Sequence, residues 1–235
     1  MLDNRKILTV IPARGGSKQL PRKNIINMAG KPLIAYTIET ALKVKSLLYR
    51  IIVSTDDEEI ATISKEYGAE VPFIRSETLA KDDTPMVPVL QDAVEFVEKQ
   101  DKTKIDWILL LQPTDPLREV NDITDALELC SKNNCDSVIS VERVLSHHPA
   151  LMKKIENNRI VPFMINEIEG TSRQKYHPPA YMRNGSIYLT KRSTLMEKNS
   201  IWGHDSIPLI MEEGSRISID SPNDFRLVEL LLSNK

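Results

Sequence analysis

Between residues 7 and 141, short apolar runs alternate with segments whose apolar residues recur at helical spacing. This alternation predicts right-handed βαβ units, and hence an α/β fold of three layers (αβα) around an open, mostly parallel sheet. The predicted strands are Ile7–Pro12, Arg50–Thr55, Val71–Ile74, Trp107–Leu111 and Ser137–Val141. Four helices are predicted. The first begins at Lys31-Pro32, and the second begins at a Thr55-x-x-Glu58 capping box and ends at Gly68. The third and fourth are Pro85–Gln100 and Asn121–Lys132.

The regular alternation stops near residue 142, where a different kind of segment begins. Asn157-Asn158 separates two short apolar runs, a pattern typical of a β-hairpin, and a proline-rich stretch follows at 176–180. The pattern resumes with a strand at Ser186–Thr190 and a last strand at Ile217–Asp220, before a final helix capped by residues 221–224. We therefore predict one domain over residues 1–235, with 142–182 as an insertion.

Charge and hydropathy exclude several classes of protein. The 31 Lys and Arg residues are balanced by 33 Asp and Glu residues, which argues against a broadly basic nucleic-acid binder. No apolar run approaches the length of about 20 residues that a membrane span requires. No secretory cleavage pattern is present at the start, and Cys130 and Cys135 lack metal-binding spacing, so we expect a soluble cytoplasmic protein. His147-His148 is a weak candidate for zinc, because adjacent residues on a strand face opposite sides.

The loop after the first strand carries the strongest functional signal. It reads IPARGGSKQLPRKN over residues 11–24, with two glycines and four cationic side chains. Glycines allow the backbone to approach a ligand, and exposed N–H groups with converging cations are suited to a polyphosphate. A solvated basic loop is the alternative. The loop matches neither the Walker A pattern nor the G-x-G-x-x-G dinucleotide fingerprint.

This string, together with six others in the same order, resembles the CMP-N-acetylneuraminate synthetase family of bacterial nonulosonate cytidylyltransferases. The other strings are IIVSTD (51–56), Arg75 with Leu79-Ala80, LLQPTDPLR (110–118), HHP (147–149), RNGSIY (183–188) and SID (218–220). The resemblance spans nearly the whole chain. It implies the Rossmann-like fold of nucleotide-diphospho-sugar transferases, and transfer of CMP from CTP to the anomeric hydroxyl of a nine-carbon 2-keto sugar acid, with release of pyrophosphate.

The resemblance also implies roles for individual residues, carried over position by position. Arg14 and Lys23 would stabilise charge on the phosphates during the reaction. The nucleotide would be held by Ala13, Arg14, Gly15, Gly16, Ser17, Lys23, Asn24 and Arg75. The sugar acid would be bound by Gln112, Arg173, Arg183 and Tyr188, the arginines pairing with its carboxylate or tail. A surface ion pair is the alternative for each arginine.

The family's cofactor is Mg²⁺, and Asp220 matches its metal-binding aspartate. A second aspartate is common in the family two residues earlier, where this chain has Ser218. Asp115 stands where the family often has serine, and it either supplies a compensating carboxylate or serves as a turn or capping residue.

The resemblance further implies a homodimer in which the apolar 142–182 insertion closes the partner's site; a simple lid is the alternative. Neuraminic, legionaminic and pseudaminic acids all remain candidate substrates. The segment from Arg173 to Arg183 diverges from the family's commoner proline- and glutamine-rich sequence, and this favours a bacterial diacetamido acid such as legionaminic acid. An enzyme for an eight-carbon keto-deoxy acid and a binding module without turnover are the alternative functions. We expect no nucleic acid or membrane as a partner.

Overall fold

The computed structural model describes residues 5–212 and 214–233. The strands are β1 (Ile7–Pro12), β2 (Asn27–Met28), β3 (Lys31–Pro32), β4 (Arg50–Ser54), β5 (Trp107–Leu110), β6 (Ser137–Val144), β7 (Lys153–Glu156), β8 (Arg159–Pro162), β9 (Ala180–Lys191) and β10 (Ser206–Met211). The α-helices are α1 (Leu33–Leu42), α2 (Glu58–Glu66), α3 (Met86–Asp101), α4 (Val120–Lys132), α5 (Arg192–Met196) and α6 (Pro222–Ser233).

Six strands form the central sheet in the order β10-β6-β9-β5-β1-β4. The pairs β1–β4, β1–β5 and β10–β6 are parallel, whereas β9 runs antiparallel to both of its neighbours. The predicted open, mostly parallel sheet is confirmed, with β9 as its one reversed strand. The parallel strands β1, β4 and β5 therefore end at the same edge.

Successive side chains of the central strands point to opposite faces of the sheet, and helices cover both faces. On β1, Ile7 and Ile11 pack with residues of α1, α2 and α4, while Leu8 and Val10 pack with residues of α3 and α5. These four side chains are at most 1% exposed. Burying each contributes about 1.5–3 kcal/mol, so the central strands are a rigid base for the loops at their ends.

Two predicted strands are absent from the sheet. Within the predicted strand Val71–Ile74, only Ile74 forms an isolated bridge, to Thr55, and the preceding residue Glu70 forms another to Ile52. Pro72, between them, has no N–H to donate to a ladder. Ile217–Asp220 is extended chain held by a hydrogen bond from Ile219 N to Thr114 O (2.8 Å). The last strand of the sheet is instead β10, which sequence reasoning missed.

The predicted capping box at α2 is also wrong. The helix begins at Glu58 with Asp57 as its N-cap, and the Asp57 carboxylate accepts hydrogen bonds from the N–H groups of Glu59 and Ile60. Thr55 Oγ1 accepts from Asp57 N instead. The predicted end at Gly68 is confirmed, since this residue has φ +94°.

The insertion contains the predicted hairpin, β7 and β8, joined by Asn157 and Asn158. Both turn residues have positive φ (51° and 60°), the conformation that a two-residue turn of type I′ requires. The hairpin stands away from the sheet with exposed apolar side chains, including Ile155 and Ile160. Separately, none of the helices within residues 5–212 and 214–233 is long and apolar enough to cross a membrane.

Candidate functional site

A cleft of about 330 Å³ lies at the carboxyl ends of β1 and β5. Open α/β sheets bind their ligands at this edge. The cleft is lined by Pro12, Arg14, Ser17, Lys23, Asn24, Arg75, Leu79, Lys81, Asp82, Thr84, Met86, Val89, Gln112, Pro113, Thr114, Ser218 and Asp220. Seven of the predicted site residues therefore meet here: Arg14, Ser17, Lys23, Asn24, Arg75, Gln112 and Asp220.

Gly15 packs against the start of α2, and this contact explains the glycine. Its N–H donates to Asp56 Oδ1 (3.1 Å), and a Cβ at this position would lie 2.6 Å from Asp57 Oδ2. Gly16 is exposed, and a Cβ there would meet nothing within 4 Å. Gly15 is thus fixed by packing, whereas Gly16 leaves its surroundings open for a ligand.

The rest of the loop is fixed from both ends. Ala13 is fully buried, and its N–H donates to Ser54 O (2.9 Å), which continues the β1–β4 pairing. Asn24 is 6% exposed, and its side-chain amide donates to Arg14 O (2.9 Å). These bonds hold the Arg14 backbone in place, so that its side chain and Ser17 face the cleft.

Two cations of the loop bind one carboxylate on the opposite rim. Arg14 Nη1 lies 2.6 Å from Asp82 Oδ1, and Lys18 Nζ pairs with Asp82 Oδ2. Together these cations lower the pKa of the Asp82 carboxyl below its usual range, through the Lys18 hydrogen bond first. Asp82 is therefore ionised at neutral pH, and it pairs with two cations, Arg14 and Lys18, that were predicted to hold phosphate.

Lys23 reaches the cleft from a 3₁₀ turn at residues 23–25. Its ammonium donates to Ile219 O (2.8 Å) and to Asp220 Oδ1 (3.1 Å), and its side chain is 14% exposed. The first loop and the last loop thus meet at Lys23. Arg22 does not join them, contrary to the expected convergence of four cations, because it pairs with Asp57 and Glu59 at α2.

Arg75 is the most buried cation of the cleft. It is 5% exposed and lies 3.6 Å from Asp56 Oδ1, and its Nε has no hydrogen-bond partner among the described residues. Burial lowers the pKa of Arg75, but a guanidinium remains protonated at neutral pH. Burial also raises the pKa of the neighbouring Asp92 carboxyl. Arg75 is a positive charge with spare donor capacity at the cleft.

Gln112 follows β5 and is held through its backbone by the fully buried Arg118. Arg118 donates to Gln112 O (2.7 Å), to Thr37 Oγ1 (2.9 Å) and to Ser186 O (2.9 Å). It thereby connects α1, the end of β5 and β9. The side-chain amide of Gln112 is left to face the cleft.

Asp115 does not reach the cleft. It is 1% exposed, and its nearest cation is Arg118 at 4.0 Å. Neither carboxylate oxygen has a hydrogen-bond partner within the part of the chain that the structure describes. The hypothesis that it replaces a carboxylate missing at Ser218 is not supported, since Ser218 lines the cleft and donates to Thr114 Oγ1 (3.2 Å).

Two of the predicted sugar-acid residues, Arg183 and Tyr188, do not line this cleft. Tyr188 is 5% exposed and packs in the cluster beneath α3, so packing accounts for it. Arg183 is exposed, with its guanidinium 3.8 Å from the centre of the Trp202 ring. The side chain of Arg173 lies outside the described part of the structure.

Two other motif residues, His148 in the insertion and Asn184 on β9, have structural roles. His148 is buried, accepts from Ala150 N at Nδ1 (3.2 Å) and lies 2.9 Å from Pro178 O at Nε2, which makes it a link across the insertion rather than a metal ligand. Asn184 accepts from Ser140 Oγ (2.6 Å) at the irregularity between β6 and β9.

Sequence reasoning missed the rim formed by Lys81, Asp82 and Thr84. These residues follow Arg75 and Leu79 in the chain, but they match no recognised motif. Their position opposite Arg14 depends on contacts between segments about seventy residues apart, which local patterns do not encode.

A cationic cleft beside a Gly-Gly loop, at the carboxyl edge of a mostly parallel sheet, defines a nucleotide-binding α/β protein. A family model described as "Cytidylyltransferase" matches residues 8–204. The chain belongs to this family, and it is a nucleotidyltransferase.

Curated relatives divide by their sugar acid. The chain is 39% identical over 230 residues to the CMP-N,N'-diacetyllegionaminic acid synthase of Legionella pneumophila, with 97% of this chain and 96% of that protein covered. It is 32% identical over 226 residues to the pseudaminic acid cytidylyltransferase of Campylobacter jejuni, with 96% of each chain covered. It is 32% identical to the N-acylneuraminate cytidylyltransferase of Escherichia coli, of which it spans 53%, with 98% of this chain covered.

The fold also matches a solved structure. A CMP:2-keto-3-deoxy-manno-octonic acid synthetase complexed with CTP superposes with a TM-score of 0.71 at 18% identity, covering 97% of this chain and 99% of that chain. At this identity the likeness concerns the fold alone.

Proposed function

We propose that the protein transfers CMP from CTP to the anomeric hydroxyl of a nine-carbon 2-keto sugar acid, giving the CMP-sugar and pyrophosphate. One observation carries the proposal: Arg14, Lys23 and Arg75 line the same cleft as Gln112 and Asp220. Three cations suit a triphosphate, while the amide of Gln112 is a donor and acceptor suited to a polar sugar. The sugar acids named for the relatives support the same reading.

The reaction needs little covalent chemistry from the protein. The anomeric oxygen attacks the α-phosphorus, the bond from that phosphorus to the β-phosphate oxygen breaks, and the hydroxyl proton is released. Pyrophosphate leaves with the bonding electron pair. Such a transfer depends on alignment and on neutralising the phosphate charge, which Arg14 and Lys23 supply from a loop fixed by Asn24. Arg75 would bind the nucleotide from the buried side.

The residues at the cleft are compatible with Mg²⁺. Asp220 presents a side chain that is 65% exposed, and its contact with Lys23 leaves the second carboxylate oxygen available. Within residues 5–212 and 214–233, no group of three or more His, Cys, Asp or Glu residues could hold a metal. This suits Mg²⁺, which takes one or two carboxylates and completes its shell with phosphate and water oxygens. When bound, the ion would neutralise phosphate charge, with Asp220 holding it.

We favour N,N'-diacetyllegionaminic acid among the acids, because the relative named for it shares 39% identity, against 32% for each of the other two. Sialic acid is the second candidate. Pseudaminic acid and an eight-carbon keto-deoxy acid are the alternatives.

Pyrophosphate release with CTP and each of the four acids tests this choice. We expect the highest kcat/KM with the diacetyllegionaminic acid, and no release when GTP replaces CTP. A higher value with pseudaminic acid or with the eight-carbon acid would reject the assignment of substrate. No release with any acid, despite binding of CTP, would favour a binding module.

We also propose that the insertion is a dimerisation arm. Its exposed apolar side chains cover both the hairpin and the segments beside it: Met152, Ile155, Ile160, Phe163, Met164, Ile168, Tyr181 and Met182. Ile155 and Ile160 are a cross-strand pair of the hairpin, and exposed apolar side chains in such number are typical of an interaction site. The cleft of a single chain is lined by neither Arg183 nor Tyr188. A partner's arm would bring further side chains toward it.

Light scattering tests the dimer. We expect a mass twice the 26.7 kDa of one chain at micromolar concentration. An Ile160→Lys variant should shift the mass toward the monomer, because it places a charge among the exposed apolar side chains of the hairpin. A matched Glu156→Gln change at an exposed position of β7 alters the net charge by the same amount and is the control for altered charge. A monomeric mass for the unmodified protein would reject the proposal.

A further inference from the structure

Asp82 pairs with two cations of the Gly-Gly loop at the mouth of the cleft. Its two carboxylate oxygens bind different partners, Oδ1 at 2.6 Å from Arg14 Nη1 and Oδ2 at Lys18 Nζ. Both cations belong to the Gly-Gly loop, and Asp82 belongs to the opposite rim. One carboxylate therefore pairs with two cations across the mouth of the cleft and offsets half of their charge.

From this contact we infer that Asp82 is a built-in competitor for the triphosphate: it pairs with Arg14 and Lys18 while the cleft is empty, and an incoming phosphate displaces it. The inference rests on the proposed triphosphate site. A carboxylate and a phosphate are both oxyanions that pair with guanidinium and ammonium groups, so they cannot share all the donors of Arg14 and Lys18. Asp82 thereby lowers the affinity for the nucleotide and holds the two rims together in its absence.

The surroundings of Asp82 permit the displacement. Its side chain is 37% exposed, and Lys18 is 80% exposed, so neither is locked in a packed core. Asp82 lies on a segment between the turn at residues 77–79 and α3 that contains no strand. Both ion pairs are open to solvent, where screening keeps such pairs weak, so a triphosphate with several negative charges can displace the carboxylate. By contrast, the side chain of Lys23 is 14% exposed and is hydrogen-bonded to the last loop, so it is less free to exchange partners than Lys18.

The neighbouring Asp83 is a matched control. It is also exposed and carries the same charge, but it does not line the cleft. Asp82→Asn and Asp83→Asn change the net charge equally, so a difference between them reports the local contact. Asp82→Ala also removes the oxygen with which asparagine could still accept a hydrogen bond.

Calorimetric titration without divalent metal tests the inference, with CTP and inorganic tripolyphosphate as separate probes. We expect Asp82→Asn and Asp82→Ala to lower the Kd for both probes by about three- to tenfold, and Asp83→Asn to change it by less than about twofold. The difference should shrink as salt is raised, because exposed charges are screened.

An equal or higher Kd in both Asp82 variants would overturn the inference, as would an equal fall in Asp83→Asn. The proposed function fails separately: the unmodified protein would then bind tripolyphosphate without preferring CTP, or would bind neither probe.

Discussion

Lys23→Ala is expected to lower kcat by about a hundredfold or more, because a single preorganised donor to developing charge is worth about 10²–10³ in rate. Lys23 is held by Ile219 O and Asp220, so its ammonium is already placed between the first loop and the last loop. Pyrophosphate release under saturating CTP and sugar acid measures the effect. Thermal unfolding should show a folded variant.

Lys31→Ala is the matched control for this prediction. Lys31 pairs with Glu39 and lies over the Tyr36 ring, outside the cleft. Its loss should leave turnover within about twofold, since Lys31 does not line the cleft. If Lys23→Ala retained a third or more of the unmodified turnover, the role assigned to Lys23 would be wrong.

The second large effect concerns stability. Arg118→Met should lower the free energy of unfolding by about 3–5 kcal/mol, because removing one partner of a buried pair leaves an uncompensated charge. Arg118 and Asp115 are each 1% exposed at the side chain, and three acceptors would also lose their donor. Chemical denaturation at neutral pH measures the change.

A double variant separates the ion pair from the hydrogen bonds. Arg118→Met with Asp115→Leu should be more stable than Arg118→Met alone, with a coupling energy of about 1–3 kcal/mol. Arg226→Met, at an exposed position of α6, is the control and should change stability by less than about 0.5 kcal/mol. If Arg118→Met alone lowered the free energy of unfolding by less than about 1 kcal/mol, the stabilising role assigned to Arg118 would be wrong.

The buried parallel strands could be predicted because their apolar runs are a direct consequence of burial on both faces. β1 and β5 are such runs, and their ends locate Arg14 and Gln112 at the cleft. β10, at one edge of the sheet, lacks this signal. β10 includes Pro208 and an Ile210 that is 60% exposed, so it was missed, whereas Ile217 and Ile219 suggested a strand that does not form.

The partners of the site's charged residues could not be predicted. Nothing in the loop sequence distinguishes Arg14, which faces the cleft, from Arg22, which turns to α2 with φ 57°. The difference depends on where Asp57 and Asp82 lie after folding. Tyr188 illustrates the opposite case: its motif suggested a ligand contact, but its position on β9 directs it into the core.

The most direct test of the central claim follows the phosphorus atoms of CTP by ³¹P NMR in the presence of the preferred sugar acid. Attack at the α-phosphorus predicts that the CTP signals are replaced by one phosphodiester signal and by pyrophosphate, in equal molar amounts. Formation of CDP and orthophosphate, or unchanged CTP with every acid, would contradict the assignment of this cleft to cytidylyl transfer.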